Sequence, residues 1–473
     1  MTEERRFKSR TYLLAVLAAA LVLPLAGPAA AAGTVPQLHA RTFMSAPGAP
    51  VPSLADLKRG DGASTIASGE ANGDAATTPL EVVGPAAAYG IKSSTPAALD
   101  ASGPAGSGSG ASPLAVSYPE PARTLTLAEC KAKLVGAERF YMKSRFAVCS
   151  GLKVTTVWEK QSGAVGTSTF TVYVRGTVPR EVDRTMYFDY DVTDFKAVGS
   201  TGASGLKIGL KGVIPQDWPA SATPVVSKTL PVTKTWLEMR SQPHYTHTVR
   251  YAPGQGSGTG AADAVFAVYQ PEVTSTLPAG WVGEKSKTGK PFMFAPRWDS
   301  AKYLRNSTGG AVPANRGGAA FSLIATLNYS SQPGAPEQAV AQHIKKAFTS
   351  PSTTKPRNAA KNVPGDTLQD PLHRLALDTK RQQRNRAVAV AACKAGWGPN
   401  YAAGGKECDE FPFASTHEGS AVTEFDPDAA PYNYSAMPVP ATQNNAAGIL
   451  LKGFYNANRI IDGLEDGFIV KIS

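Results

Sequence analysis

The stretch Glu407-Cys-Asp-Glu-Phe-Pro-Phe-Ala-Ser-Thr-His-Glu-Gly419 sets four carboxylates (Glu407, Asp409, Glu410 and Glu418) and His417 within thirteen residues. Carboxylates crowded in this way are costly to bury unless each is paired or meets a cation. Such a set can hold a hard divalent ion through oxygen or take a proton from an attacking water. It can equally stand as a solvated acidic loop, and spacing alone does not separate these readings. Paired carboxylates also serve glycoside hydrolysis, so the motif by itself leaves the reaction open.

The surrounding charge narrows the choice. Residues 337–406 hold twelve Lys or Arg against four Asp or Glu (12 − 4 = +8), while residues 407–473 hold three against ten (3 − 10 = −7). A basic half beside an acidic half suits an enzyme that grips a phosphate backbone and holds a cation at the scissile bond. The whole chain carries +11 with a pI near 9.3, which favours acidic partners such as nucleic acid or anionic cell-wall polymer. The sharpest basic run is Lys380-Arg381-Gln-Gln-Arg384-Asn385-Arg386. It is either a solvated helix face or a phosphate grip through Arg384 or Arg386.

Several elements must position these residues. Pro412 keeps a helix from running through the motif, so a strand or loop leading into a short turn is predicted there. Helices are predicted over Glu337–Phe348, with Val340, Ile344 and Phe348 on one face, over Thr379–Ala392, and over Ala446–Asn456. Alternating Phe468, Val470 and Ile472 beyond the Asp466-Gly467 turn, with Ile460-Ile461 before it, predict a terminal hairpin. Residues 331–473 thus read as one α+β domain.

Ahead of it, residues 119–330 show a short helix over Leu125–Gly136 and then period-two alternation, as in Val154–Trp158, Thr169–Val174, Met186–Val192 and Val265–Tyr269. That pattern predicts a β-rich sandwich or barrel serving as a binding or spacer module. His244 and His247 fall on opposite faces of one of its strands and read as ordinary polar residues. Residues 33–118 are rich in Ala, Gly, Ser and Pro and read as a disordered tether or pro-region. Residues 1–32 carry Arg5, Arg6, Lys8 and Arg10, an apolar run and a small-residue site, the pattern of a secretory signal peptide. The run falls short of the roughly 20 apolar residues of a spanning helix, so secretion without a membrane anchor is expected.

Four cysteines, Cys130, Cys149, Cys393 and Cys408, form two sets 19 and 15 residues apart. In an exported chain an even count points to disulfides, and pairing within each region is the simplest of three connectivities. No C-x-x-C or clustered His accompanies them, which argues against zinc.

The segment Cys408–Gly419 resembles the central motif of the secreted NucA/NucB deoxyribonucleases, Asp-Glu-aromatic-Pro-x-Ala-x-x-x-Glu-Gly. Asn444-Asn-Ala-Ala-Gly448 is similar to the family's Asn-x-Gly/Ala-x-Gly segment. Pro336-Glu337, His343-Ile344 and Ala347 are similar to the start of the family domain, and Lys361–Gly365 to another shared element. The resemblance covers residues 331–473 and implies a ββα-metal-like, single-metal endonuclease that hydrolyses extracellular DNA with little sequence specificity. It implies Asp409 as general base, Glu410 in support, Glu418 and Asn444 on a Mg²⁺ or Mn²⁺ ion, and His343 beside the substrate. His417 stands where the family has an acidic residue, and is an alternative base or ligand or else a bystander. Thr416 stands where compact bacterial members have cysteine. Asn445-Ala446 replaces an Arg-Gly pair, a lost phosphate contact for which the basic helix could compensate. Two rivals remain open: a nuclease effector acting on neighbouring cells, and a basic polymer-binding protein with an inactive nuclease-like tail. The Asn444 segment and the basic half disfavour a glycosidase.

Overall fold

The computed structural model describes residues 37–60, 116–179, 184–304 and 317–473. The predicted signal peptide and most of the predicted tether lie outside the described residues. One part of the tether reading is corrected. Leu38–Ser45 is a strand paired antiparallel with Ala147–Lys160, from His39↔Glu159 to Ser45↔Lys153, and a capped helix follows over Leu54–Arg59. Its apolar residues Ala40, Phe43 and Met44 are buried, which offsets the entropy of ordering so short a segment.

The N-terminal region is mostly β. An eight-stranded sheet is built on Ala147–Lys160, Gly163–Thr177, Thr185–Gly199 and His244–Arg250. It curls as a half-barrel over a six-stranded sheet built on Lys207–Trp218 and Ala264–Thr276. Inward-facing side chains of both sheets share one core, where the Phe188 and Tyr269 rings stack at 3.6 Å between centroids. His247 points inward to the Tyr269 hydroxyl at 2.8 Å, and His244 points outward to Asp191 at 2.9 Å. The two histidines therefore lie on opposite faces, as period two requires. A disulfide joins Cys130, on the helix Leu127–Lys133, to Cys149.

The C-terminal elements are β1 (Ala325–Tyr329), α1 (Gln338–Thr349), β2 (Leu372–His373), α2 (Thr379–Trp397), β3 (Lys406–Phe411), β4 (Ser435–Pro440), α3 (Ala441–Ala457) and β5 (Gly467–Ile472). One sheet has the order β1-β5-β2; β3 and β4 form a separate antiparallel pair. Between them lies a core of Val340, Ile344, Phe411, Leu451, Phe454, Phe468 and Val470. Val340, Ile344 and Ala347 recur at helical spacing, so α1 buries one stripe. The predicted terminal hairpin does not form. Instead β5 runs parallel to β1, from Ala325↔Phe468 to Tyr329↔Ile472, and antiparallel to the two-residue β2. The strand β1 therefore belongs to the C-terminal sheet, ahead of the expected boundary at 331.

The two regions meet across buried charge. Arg459 grips Asp299 with two bonds, Nε to Oδ2 at 2.8 Å and Nη2 to Oδ1 at 2.6 Å. Arg297 reaches Asp466 at 2.5 Å, and Arg145 hydrogen-bonds the same carboxylate. All five side chains are almost fully buried. Burial opposes ionisation of both aspartates, yet the arginines outweigh it and hold the carboxyls below their ordinary range. The stability they supply is present above the ordinary carboxylate pKa and is lost as pH falls through the depressed values. Removing one partner from a buried set strands the other, at about 3–5 kcal/mol. Arg297→Met is therefore expected to lower the denaturant midpoint of both regions together, measured by near- and far-UV circular dichroism. A fragment starting at residue 331 lacks β1, Arg145 and Arg297, and should unfold at a lower temperature than the full chain. A separate, unchanged transition for the C-terminal region would refute this coupling.

Candidate active site

The strand β3 carries Glu407, Asp409 and Glu410, and its register with β4 runs from Lys406↔Pro440 to Phe411↔Ser435. The Cys393–Cys408 disulfide, with Cα atoms 6.1 Å apart, ties the strand to α2 one residue before Asp409. Above the strand a cleft of about 540 Å³ opens between α2 and α3. Glu407, Asp409 and Glu410 lie at its floor, Gln383 and Arg386 on the α2 wall, and Asn444 and Lys452 on the α3 wall.

The floor carboxylates differ in their partners. Asp409 Oδ2 is 2.6 Å from His343 Nδ1, and the far ring nitrogen of His343 is 2.7 Å from Ser435 Oγ. Glu410 is 6% exposed and has Arg386 at 3.5 Å. Burial pushes its carboxyl up to about 7; Arg386 opposes the rise and Asp409 adds to it. Asn444 Nδ2 donates to Glu407 Oε2 at 2.9 Å, pinning the first turn of α3 to the strand.

Asp409, Glu410, Asn444 and Arg386, four of the residues singled out in the sequence, thus share one cleft. The other four lie elsewhere. His343 is 1% exposed, behind Asp409, and does not line the cleft. Both oxygens of Glu418 are taken by His373, at 2.9 Å from the peptide N–H and 2.8 Å from Nδ1, and Glu418 does not line the cleft with Asn444. Glu418 and Asn444 therefore do not share a cleft in this structure. His417 lines a second cleft with Arg381 and Asp462, and burial, then Arg381, depresses its imidazole pKa. Arg384 turns away from the cleft and binds Glu424 with Nε and Nη2 at 2.7–2.8 Å.

Asn385 was missed. This fully buried side chain donates to the carbonyls of Ala414 at 2.9 Å and Thr416 at 3.2 Å, and accepts from the Ala421 N–H at 3.0 Å. It moulds the turn after the motif onto α2. A Cβ on Gly419 would lie 2.2 Å from the Asn385 amide nitrogen, which explains the glycine. The available signal was an asparagine, a poor helix former, mid-helix.

Among the described residues no group of three or more His, Cys, Asp or Glu is arranged to hold a metal. A Mg²⁺ site commonly takes one or two carboxylates and completes its shell with water and substrate phosphate. Buried Glu410 with one long contact to Arg386, beside Asp409 and the Asn444 amide, has that hard-oxygen chemistry. The residues fit such an ion.

Residues 365–470 match the family model described as Deoxyribonuclease NucA/NucB, so the C-terminal region is similar to that nuclease family. No curated protein and no solved structure matches the chain. The matched span begins after β1 and α1, and so excludes His343.

Glu410 gives a test of sign. Its folded pKa is raised, so the folded state binds the extra proton, and stability falls as pH rises from about 4.5 to about 7. In metal-free buffer at pH 8, Glu410→Gln should raise the melting temperature, by ~1–3 kcal/mol of stability. A variant less stable than the parent at pH 8 would show that the carboxylate is compensated.

Proposed function

We propose that this protein is a secreted, divalent-metal-dependent endonuclease that hydrolyses phosphodiester bonds of extracellular DNA with little sequence specificity. The observation that carries the reading is Asp409 and Glu410 at the floor of a cleft whose two walls present Arg386 and Lys452. The succession β3, antiparallel β4 and α3 has the order of a ββα-metal motif, with the carboxylates on its first strand and Asn444 in the first turn of its helix. Secretion is supported by the charged and apolar residues 1–32 and by two disulfides. No helix among the described residues is long and apolar enough to cross a membrane.

In this reading Asp409 is the general base. One of its oxygens is held by His343, leaving the other for a water in the cleft. The water gives its proton to Asp409 as its oxygen bonds to phosphorus, and the ester P–O bond breaks on the opposite side. Arg386 and Lys452 hold the flanking phosphates by charge, without reading bases. A Mg²⁺ or Mn²⁺ ion held by Glu410 and Asn444 would stabilise charge on the phosphate and the leaving oxygen. A second reading, a polymer-binding protein with an inactive nuclease-like domain, is favoured by two engaged side chains: Glu418 on His373 and Asn444 on Glu407.

Purified full-length protein should nick and then linearise plasmid in Mg²⁺ or Mn²⁺, and EDTA should stop it. Asp409→Asn should cost at least about a hundredfold in rate, in line with loss of a general base. His417→Ala, outside the cleft, should stay within about tenfold of the parent. Intact plasmid after long incubation with either ion would favour the inactive binder; cleavage in excess chelator would sink the metal assignment.

The walls make a separate prediction. Arg386→Ala should weaken DNA binding and reduce its salt dependence by roughly one charge, whereas Arg384→Ala, already paired with Glu424, should leave the slope unchanged. Equal effects of the two variants, measured by fluorescence anisotropy across a salt series, would contradict the placement of the cleft.

A further inference from the structure

We propose that His343 is a positioning residue that fixes which oxygen of Asp409 faces the substrate, an inference resting on the reading of Asp409 as the base. His343 is the buried link in a line of three polar groups: Asp409 Oδ2, 2.6 Å from Nδ1, and Ser435 Oγ, 2.7 Å from Nε2. An ionised carboxylate only accepts, so the proton at this contact sits on Nδ1. In the tautomer that carries its proton on Nδ1, Nε2 accepts from the Ser435 hydroxyl, which favours that tautomer.

The geometry leaves no substitute for this link. Asp409 pairs with Met437 and Ser435 pairs with Phe411, so the two polar side chains stand two positions out of register on β3 and β4. The imidazole spans that diagonal. Its own place is set by α1, whose Val340, Ile344 and Ala347 flank it in the core. A charge-assisted bond to one oxygen stops the carboxylate from rotating and presents the other at the cleft. The arrangement inverts the familiar triad, in which a buried carboxylate orients a histidine that meets the substrate. Here the histidine is buried and the carboxylate meets the cleft. The helix that brings it lies before the span matching the nuclease family.

The experiment uses full-length protein with His343→Asn, His343→Gln, His343→Ala and Ser435→Ala, each checked by circular dichroism and disulfide mapping. An asparagine amide nitrogen falls near the Nδ1 position and keeps the donor to Asp409; a glutamine amide reaches the Nε2 position and does not. On plasmid DNA with Mg²⁺ or Mn²⁺, the Gln and Ala variants should lose about tenfold to a hundredfold in kcat with KM within about twofold. The Asn variant should recover to within about fivefold of the parent, and Ser435→Ala should fall between. An Asn variant as impaired as Ala, an unimpaired Ala variant, or a change confined to KM would each overturn the proposal. A further measurement does not depend on cleavage, and its first reading is made on the parent protein. The His343 Nδ1–H proton should give a far-downfield, slowly exchanging NMR signal in the parent that Asp409→Ala abolishes. Absence of that signal overturns the proposal. If the parent cuts no DNA yet shows the signal, the catalytic reading of Asp409 fails while the positioning contact stands.

Discussion

Asp299 and Asp466 are buried carboxylates held ionised by arginines from both sides of the interface, and the rest of the C-terminal architecture hangs from them. Asp466 Oδ2 also accepts from the Ile461 N–H at 2.8 Å, which fixes the turn that delivers β5. Strand β5 lies between β1 and β2, and β2 supplies the His373 that holds both oxygens of Glu418. Glu418 and Gly419 belong to the turn moulded on Asn385, which lies on α2 beside the cleft. Each step is a short, directed contact. The β-rich region therefore makes direct contact with the frame of the C-terminal region through Arg145, Arg297 and Asp299. An isolated C-terminal piece would keep Asp466 but lose Arg145 and Arg297, and would open that carboxylate and the surface around it to water.

The floor of the cleft uses the same burial to the opposite end. Asp299 and Asp466 have guanidinium groups within 2.5–2.8 Å and are driven below the ordinary carboxylate range. Glu410 is buried as well, but its cation stands at 3.5 Å, with Asp409 adjacent, and its carboxyl rises to about 7. Desolvation is common to all three; the partners decide the sign. A frame carboxylate is finished when the chain folds. A floor carboxylate is left wanting a positive charge, which an incoming ion can supply.

What could be read from the sequence was local. The spacing of Val340, Ile344 and Phe348 predicts α1, Pro412 ends the motif strand, and the cysteine separations match the two disulfides. What escaped was non-local. The parallel pairing of β5 with β1 joins segments more than a hundred residues apart, and a hairpin pattern beside an Asp-Gly turn cannot announce it. Glu418 finds its partner 45 residues upstream and Asp409 finds His343 66 residues upstream. Residues two apart on a helix are rotated by about 200°, which is why Arg386 faces the cleft while Arg384 turns to Glu424.

Part of the basic half of the charge segregation is architectural. Lys361 is buried against the carbonyls of Thr354 and Pro356, and burial brings its ammonium down to about 8. Arg374 lies over the Tyr455 and Tyr303 rings and donates to the Ile460 carbonyl at 2.8 Å. Arg381 stacks on Phe425 and donates to the His417 carbonyl at 2.6 Å. These cations fasten loops around α2 and the sheet, where stems cover apolar surface and heads satisfy carbonyls. The cleft takes its positive walls from Arg386 and Lys452, on facing helices. The net charge of a segment is thus a poor measure of grip; the side of the helix from which each charge leaves is the better one.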